Sequence, residues 1–305
     1  MNGNDVILTA YCLAYNHEKY IEKTLEGFVN QQTSYKYKVI VHDDASTDGT
    51  ASIIKDYAEK YPDIIVPVLQ KENQYSKHLD IFEYFIKPLL EGKYVAICEG
   101  DDYWCDPGKL QKQIDFLETH PDFSACVHNT EKIKEDGSPT GILYNSSAKD
   151  REISTDEIIK HGSCFLHLNS IVCRREYREN KPEEFYIPRA GDYTLLIYLA
   201  TVGKIWYMAG VMSRYRMMSE GSWSQTMKQD TAFRMEHSRS TVTALEKMNE
   251  YTKGRFSDSF EQAIKYSKAR NLYYEKGFLG VLRHPYYWDV FVRKLVAKIT
   301  EKSSR

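Results

Sequence analysis

From residue 6 to residue 128 the chain alternates short apolar runs with amphipathic stretches, and this alternation limits the fold more than any other feature. Val6 to Cys12 reads as a strand, and Ile21, Leu25 and Phe28 then keep helical spacing. Val39 to Val41 reads as a second strand, followed by a turn at Ser46 to Gly49 and a helix carrying Ile53, Ile54 and Tyr57 on one side. Ile64 to Leu69 predicts a third strand, and Leu79, Phe82, Phe85, Ile86 and Leu89 predict a helix that Pro88 and Gly92 close. Tyr94 to Cys98 predicts a fourth strand and Phe123 to His128 another, with Asp106-Pro107 between them as N-cap and first-turn proline of a helix bearing Leu110, Ile114 and Leu117. Strand and helix therefore alternate about four times, which predicts an α/β fold with a mostly parallel central sheet flanked by helices. Such sheets bind ligands beyond the carboxyl ends of their strands.

The middle of the chain is less regular. Lys132 to Arg151 reads as loops or an exposed hairpin, Leu168 to Cys173 as a strand, Asp192 to Thr201 as a helix and Lys204 to Met208 as a further strand. After about residue 227 long polar-apolar patterns predict two or three helices, broken near Lys253-Gly254, Gly277 and His284-Pro285. No internal repeat is present. A chain of 305 residues with 42% hydrophobic content can bury a full core. With 41 Lys+Arg against 43 Asp+Glu it lacks the simplest electrostatic basis for nucleic-acid binding. The opening has no basic start followed by an apolar run, and stretches such as Leu195 to Val202 fall far short of the roughly 20 residues of a spanning helix, so a cytosolic chain is expected. Cys12, Cys98, Cys105, Cys126, Cys164 and Cys173 form no CxxC pair and predict buried free thiols.

Two acidic clusters fall at predicted strand ends. Glu99-Gly100-Asp101-Asp102 places several carboxylates on a short loop pinned by glycine. Adjacent ionised carboxylates call for a counter-ion, and a hard divalent cation with oxygen ligands can serve while also acting as a Lewis acid on a phosphate leaving group. A solvated turn with an N-cap fits the same residues; the second cluster, Asp43-Asp44, favours a site. Within Asp43 to Thr50, Asp48 and Thr50 read as turn and cap residues. Asp43 and Asp44 read as acceptors for a nucleobase N–H or ribose hydroxyls.

Residues 6 to 130 resemble the nucleotide-binding half of a family 2 glycosyltransferase of the inverting GT-A type. Ala14-Tyr15-Asn16-His17-Glu18 is similar to its first-strand motif, Asp43 to Thr50 to its second-strand motif, and Glu99 to Trp104 to its metal-binding motif. The resemblance implies a GT-A fold in which residues 1–226 form the catalytic domain, divided into a nucleotide-sugar half (1–130) and an acceptor half (131–226), with a helical extension over 227–305. It implies a donor site including Ala14, Tyr15 and Glu18, with Tyr15 on the nucleobase and Asp44 at base or ribose. Asp102 becomes the principal Mn or Mg ligand with Asp101 nearby, and Glu99, where many relatives carry Asp, an outer residue beside it. Lys77, a better match than Lys71, lies where a basic group approaches the diphosphate.

Gly191-Asp192-Tyr193 resembles the acceptor-side motif, which makes Asp192 the general base; an ordinary helix N-cap fits it too. Tyr215-Arg216 and Gly221 to Ser224 resemble the donor loop, which implies Arg216 on phosphate oxygens and Trp223 at the sugar. Where relatives often carry a histidine two residues after that arginine, this chain has Met218, so the role is lost, taken by another group such as His237, or left to water; His237 also reads as a structural or exposed helix residue.

The resemblance further implies single-sugar transfer from a nucleoside diphosphate sugar, UDP-linked by family habit, to a saccharide or lipid-linked saccharide in bacterial surface polysaccharide synthesis. The processive Gln-x-x-Arg-Trp pattern is absent. A sugar-phosphate nucleotidyltransferase, releasing pyrophosphate, and a non-catalytic sugar-nucleotide binder remain as other readings. Finally, Phe278 to Lys298 carries Leu279, Leu282, Trp288, Phe291, Val292, Leu295 and Val296 among Arg283, Arg293, Lys294 and Lys298, with Ile299 beyond. That pattern fits peripheral contact with the inner membrane face or a helical hairpin packed on the protein.

Overall fold

The computed structural model describes residues 5–162, 165–187, 190–219, 221–288 and 290. In chain order its first elements are β1 (Leu8–Ala14), α1 (Ile21–Val29), β2 (Tyr37–Asp43), α2 (Thr50–Lys60), β3 (Ile65–Leu69), β4 (Tyr94–Glu99), β5 (Tyr103–Trp104), α3 (Lys109–Thr119) and β6 (Phe123–Ile133). Next come β7 (Pro139–Leu143), β8 (Arg151–Ile153), α4 (Thr155–His161), β9 (Val172–Arg174), α5 (Arg175–Glu179), α6 (Gly191–Val202) and β10 (Lys204–Arg216). The last helices are α7 (Trp223–Gln229), α8 (Thr231–Tyr251) and α9 (Ser257–Leu282). The chain separates into two units, one of Met1–Ser154, Ser163–Lys181 and Leu199–Glu220, the other of Thr155–Gly162, Pro182–Tyr198 and Gly221–Arg305.

The first unit holds one sheet in the order β3-β2-β1-β4-β9-β6-β10-β5, with β7 beside β6 and β8 beside β10. β1 lies between β2 and β4 and runs parallel to both, and β3 is parallel to β2. Parallel pairing returns between β6 and β10, while β9 is antiparallel to both β4 and β6. The sheet is thus mixed, its parallel character concentrated in the first half. β1, β2 and β4 are buried almost throughout, as strands covered on both faces must be. On α1, Ile21, Thr24, Leu25 and Phe28 are buried at helical spacing and join Leu110, Ile114 and Leu117 of α3 in the core. After β3 the chain returns to the opposite side of β1, so the carboxyl ends of β1 and β4 flank the point where strand order reverses. A crevice opens there in folds of this kind.

Several expected elements take another form. The stretch read as a helix from Leu79 to Leu89 is a π-helical turn over Phe82–Ile86 followed by a 3-10 turn over Lys87–Leu89, after an earlier 3-10 turn at Tyr75–Lys77. Pro88 has no N–H to continue an α-helix, although Phe82 and Ile86 still face the core. Asp106 is not the N-cap of α3, which is Gly108; its Oδ1 accepts the Gly108 N–H at 2.8 Å and so closes the preceding turn. Leu168 to Ser170 is a 3-10 turn, leaving β9 three residues. Cys12, Cys98, Cys126 and Cys173 are buried free thiols as expected, whereas Cys105, on the loop that leaves β5, is free but exposed. Cys164 lies outside the described residues.

In the second unit α6 is buried on nearly every side, from Tyr193 through Tyr198. The Tyr193 hydroxyl donates to the Ile159 carbonyl of α4, and the Ser259 hydroxyl of α9 donates to Asp156 of the same helix. Val242, Leu245 and Met248 of α8 and Phe260, Ala263 and Ala269 of α9 are buried. The expected breaks occur where the backbone turns left-handed, at Lys253, Gly254 and Gly277. Among the described residues no helix is long and apolar enough to cross a membrane. Of the amphipathic tail, Phe291, Val292, Arg293, Lys294, Leu295, Val296, Lys298 and Ile299 lie outside the described residues.

Candidate active site

The loops that leave β1 and β2 are tied to each other. Ala14, the last residue of β1, accepts the Asp44 N–H at 3.0 Å. Asn16 and Ala45 both adopt positive φ, 55° and 62°, an uncommon state for residues with a Cβ. The Asn16 N–H reaches the Ser46 hydroxyl at 2.8 Å, and its side-chain oxygen accepts the Thr47 N–H at 2.8 Å. The Glu18 N–H reaches Asp48 at 3.1 Å, and Asp48 also accepts the Thr50 N–H at 3.0 Å, which closes the turn; the N-cap of α2 is Gly49 and not Asp48 as expected.

Both carboxylates of the pair after β2 shape loops. Asp43 is buried and accepts from the Ser46 N–H and hydroxyl. Asp44 is buried and accepts the backbone N–H groups of Gln74 and Tyr75 at 2.7 and 3.0 Å, holding the loop after β3 against the end of β2. Lys77 on that loop is ion-paired with Glu72. Tyr15 stands 45% exposed, open to a planar partner.

At the end of β4 the chain turns tightly. The Gly100 N–H donates to Leu13 at 2.9 Å and the Asp102 N–H to Glu99 at 3.1 Å. A Cβ on Gly100 would lie 2.6 Å from His17 Nδ1, so the close approach to the first loop requires glycine. The turn sets Glu99 and Asp102 side by side and directs the Asp101 carboxylate to the Ser219 hydroxyl, 2.6 Å away. Asp102 is fully buried. Its Oδ1 accepts the Arg216 backbone N–H at 2.9 Å and its Oδ2 the Asn169 side-chain amide at 2.9 Å. Burial first, then the charges of Asp101 and Glu99, hold its carboxyl well above the usual carboxylate range.

His167 completes this group. One ligand atom from each of Glu99, Asp102 and His167 falls within 4.8 Å of the others. Burial holds the imidazole neutral, its pKa lowered to about 4, and Nδ1 accepts the Asn169 N–H at 3.3 Å. Tyr215 packs against the ring at a centroid distance of 4.3 Å. Two carboxylates and a proton-free ring nitrogen form a donor set suited to a divalent cation.

Arg216 is buried at the end of β10, its Nε donating to the Asp101 carbonyl at 3.0 Å and its Nη1 to the Glu135 carbonyl at 2.6 Å, with the guanidinium 4.6 Å from the Tyr20 ring centre. It lines a cavity of about 760 Å³ together with Lys19, Tyr20, Lys23 and Tyr103. Met218 has positive φ, 66°, between Arg216 and Ser219.

Ala14, Glu18, Asp43, Asp44, Asp101, Asp102 and Arg216 all lie in the first unit, at or just beyond the carboxyl ends of β1, β2, β4 and β10. In the second unit Asp192 is an exposed residue in the first turn of α6. Trp223 opens α7 with its ring against Phe233 and His237, at 4.7 and 5.0 Å. Sequence reasoning did not single out His167 or Asn169. No local pattern marks them, because β9 brings their turn beside the end of β4 only through long-range pairing.

An uncharacterized protein of Mycobacterium tuberculosis is 36% identical over 211 residues, 69% of this chain and 59% of that protein, so the chain spans less than two thirds of this relative's length. The Escherichia coli UDP-Glc:alpha-D-GlcNAc-diphosphoundecaprenol beta-1,3-glucosyltransferase WfaP is 26% identical over 211 residues, covering 69% of this chain and 77% of that protein. Among solved structures, the mannosyltransferase PcManGT from Pyrobaculum calidifontis in complex with GDP-Man and Mn2+ shares the fold. Its TM-score is 0.56 at 16% identity, covering 97% of this chain and 81% of that one. Residues 11–176, more than half of the chain, match the family described as glycosyl transferase family 2, and to that family the protein belongs.

Proposed function

We propose that the protein transfers one sugar, with inversion, from a UDP-sugar to a saccharide or lipid-linked saccharide acceptor during assembly of a bacterial surface polysaccharide. The observation that carries this reading is the buried Asp102, held by two donated hydrogen bonds beside Glu99 at the strand-order switch of a family 2 chain. The activity named for the Escherichia coli relative supports the uridine donor and the diphosphate-lipid acceptor.

In this reading Asp102, with Asp101 and Glu99 on the same turn, would hold Mn or Mg. Such an ion supplies Lewis-acid stabilisation of the departing nucleoside diphosphate. Tyr15 offers a ring face to the base, and the loops set by Ala14, Glu18, Asp43 and Asp44 shape the nucleoside pocket. Lys77 and Arg216 bring positive charge toward the diphosphate, and Trp223 borders the sugar. Asp192 takes the acceptor hydroxyl proton as that oxygen bonds to the anomeric carbon and the bond from this carbon to the diphosphate oxygen breaks. Residues 1–226 would form the catalytic part and 227–305 a helical extension. Exposed Phe278, Leu279, Leu282, Tyr286 and Trp288 suit peripheral contact with the inner membrane face, where a lipid-linked acceptor resides.

The test is calorimetry with UDP, GDP, CMP and dTDP sugars, with and without Mn, followed by a nucleotide-release assay. Metal-dependent binding of one diphosphate sugar, lost in Asp102→Asn, and turnover lost in Asp192→Asn with donor binding retained, are expected. Folded protein that binds no sugar nucleotide would favour a non-catalytic role instead.

A further inference from the structure

The cavity of about 760 Å³ beside Arg216 is walled by the start of α1, by Tyr103 after the acidic turn and by the tip of the β6–β7 hairpin. Lys19 and Lys23 supply cations from the α1 side and Lys134 from the hairpin, whose next two residues, Glu135 and Asp136, supply carboxylates. The frame is already tied together. Arg216 Nε donates to the Asp101 carbonyl at 3.0 Å and Nη1 to the Glu135 carbonyl at 2.6 Å, so the buried guanidinium bridges the acidic turn and the hairpin. The Tyr20 hydroxyl donates to Glu135 Oε1 at 3.2 Å and ties the hairpin to the start of α1. None of Tyr15, Asp43, Asp44, Lys77 and Asp102 lines this cavity. It is a space apart from the base, ribose and metal positions given above, and it shares Arg216 alone with the donor residues.

We propose that this cavity binds an acidic sugar of the acceptor saccharide, a hexuronate whose carboxylate meets the lysines and whose hydroxyls meet Glu135 and Asp136. The inference deepens the glycosyl-transfer reading above and rests on it for assigning the sugar to the acceptor. Four cations face two carboxylates, which leaves an excess of positive charge suited to a ligand with a single negative charge. A diphosphate or a nucleic-acid strand would press its charge against Glu135 and Asp136, and a neutral sugar would leave the lysines unanswered. Carboxylates accept hydrogen bonds from hydroxyls, and the Tyr103 ring offers an apolar face to the C–H side of a sugar. The volume lies in the range of roughly 300–1,000 Å³ that holds a small molecule. Lys23 is paired with Glu26 at 2.8 Å, and Asp136 accepts the Ser138 N–H at 2.9 Å. The ion pair is exposed, so it contributes little and exchanges readily for a ligand carboxylate.

The experiment titrates the full chain, by ligand-observed NMR, with methyl β-D-glucuronide, with methyl β-D-glucoside, which carries a hydroxymethyl group in place of the carboxylate, and with inorganic pyrophosphate. Binding of UDP-sugars with Mn2+ is measured in parallel by calorimetry. Wild type is compared with the double variant Lys23→Gln/Lys134→Gln, which changes two exposed side chains. Expected are a preference of about fivefold for the glucuronide over the glucoside in wild type, its loss in the double variant, and donor binding unchanged between the two proteins. Equal binding of the two glycosides by wild type, or a preference that survives in the double variant, overturns the proposal; donor binding retained alongside leaves the glycosyl-transfer reading standing. Pyrophosphate bound more tightly than the glucuronide, and lost in the double variant, overturns it in favour of a phosphate site. A glucuronide preference in a chain that binds no sugar nucleotide overturns the assignment of that sugar to an acceptor. Should the double variant not fold, equal binding of the two glycosides by wild type alone refutes the proposal.

Discussion

The backbone N–H of Arg216 donates to Oδ1 of Asp102 at 2.9 Å, so the last residue of β10 is locked to the acidic turn after β4, 114 residues earlier. The contact depends on strand order. β10 is parallel to β6 and carries irregular register at Met208 to Ser213, which lets its end bend toward the turn. The Arg216 guanidinium then reaches the Asp101 carbonyl, and Ser219 the Asp101 carboxylate.

Replacing Asp102 with Asn should abolish turnover and change how stability depends on pH. Two N–H donors, from Arg216 and Asn169, converge on its two oxygens, whereas Asn offers one acceptor and one donor, a loss of about 1–2 kcal/mol. Against that, burial beside Asp101 and Glu99 holds the carboxyl pKa up, so wild type loses stability as pH rises above the unfolded carboxylate value and the Asn variant does not. Chemical denaturation of metal-free protein from about pH 4 to pH 8 should therefore show the difference moving steadily in the variant's favour; a difference that stays constant with pH would mean that the carboxyl is not shifted.

Asn169→Ala should act at a distance on the same site. Without its side chain the Thr130 and Ser213 hydroxyls lose an acceptor and Asp102 loses a donor, while the Trp104 indole keeps its backbone partner. Loss of an orienting hydrogen bond behind a metal ligand typically weakens the metal about 10–100-fold. Manganese affinity measured by calorimetry should fall in that range; an unaltered affinity would leave Asn169 as packing only.

The elements that periodicity predicts are those whose signal is local. Ile21, Leu25 and Phe28 form the buried stripe of α1 as read, and the runs at Val39 and Tyr94 are strands. Leu79 to Leu89 has helical spacing too, but Pro88 removes the N–H that would sustain it, and the segment closes as tighter and wider turns. The acidic turn was legible because its residues are contiguous. His167 was not, since only the insertion of antiparallel β9 between β4 and β6 sets it beside residues 65 and more positions away. The motif made Asp102 the principal ligand with Asp101 nearby, and the fold turns the Asp101 carboxylate to the Ser219 hydroxyl.

Gly100→Ala tests how closely the first loop is packed on the turn. The added Cβ would meet His17 Nδ1 at 2.6 Å, the Ala14 Cβ at 3.0 Å and the Leu13 carbonyl at 3.1 Å. Two of these neighbours belong to β1 and cannot retreat, so the turn carrying Glu99 and Asp102 must move. Overpacking of this kind costs about 1–3 kcal/mol, and Mn2+ affinity should drop with it. A variant with wild-type melting temperature and affinity would show that the loops yield freely.

Lys109 should make stability depend on pH in the opposite sense from an ion-paired lysine. Its ammonium is fully buried 4.1 Å from the centre of the Trp104 ring, with no hydrogen-bond partner for Nζ among the described residues. Burial lowers its pKa from 10.5 to about 7. Between those two values the unfolded chain binds a proton that the native chain has released, so stability rises with pH across that window. Below the native value both states carry the proton and the full cost of burying the charge remains, offset in part by the indole face. Lys109→Met should therefore be more stable than wild type by about 1–4 kcal/mol at pH 6.5, with the gap narrowing steadily as denaturation is repeated up to pH 9. Every other titrating group is shared by the two proteins and cancels in that difference, so curves that run parallel over the window would show that Lys109 is neither desolvated nor shifted.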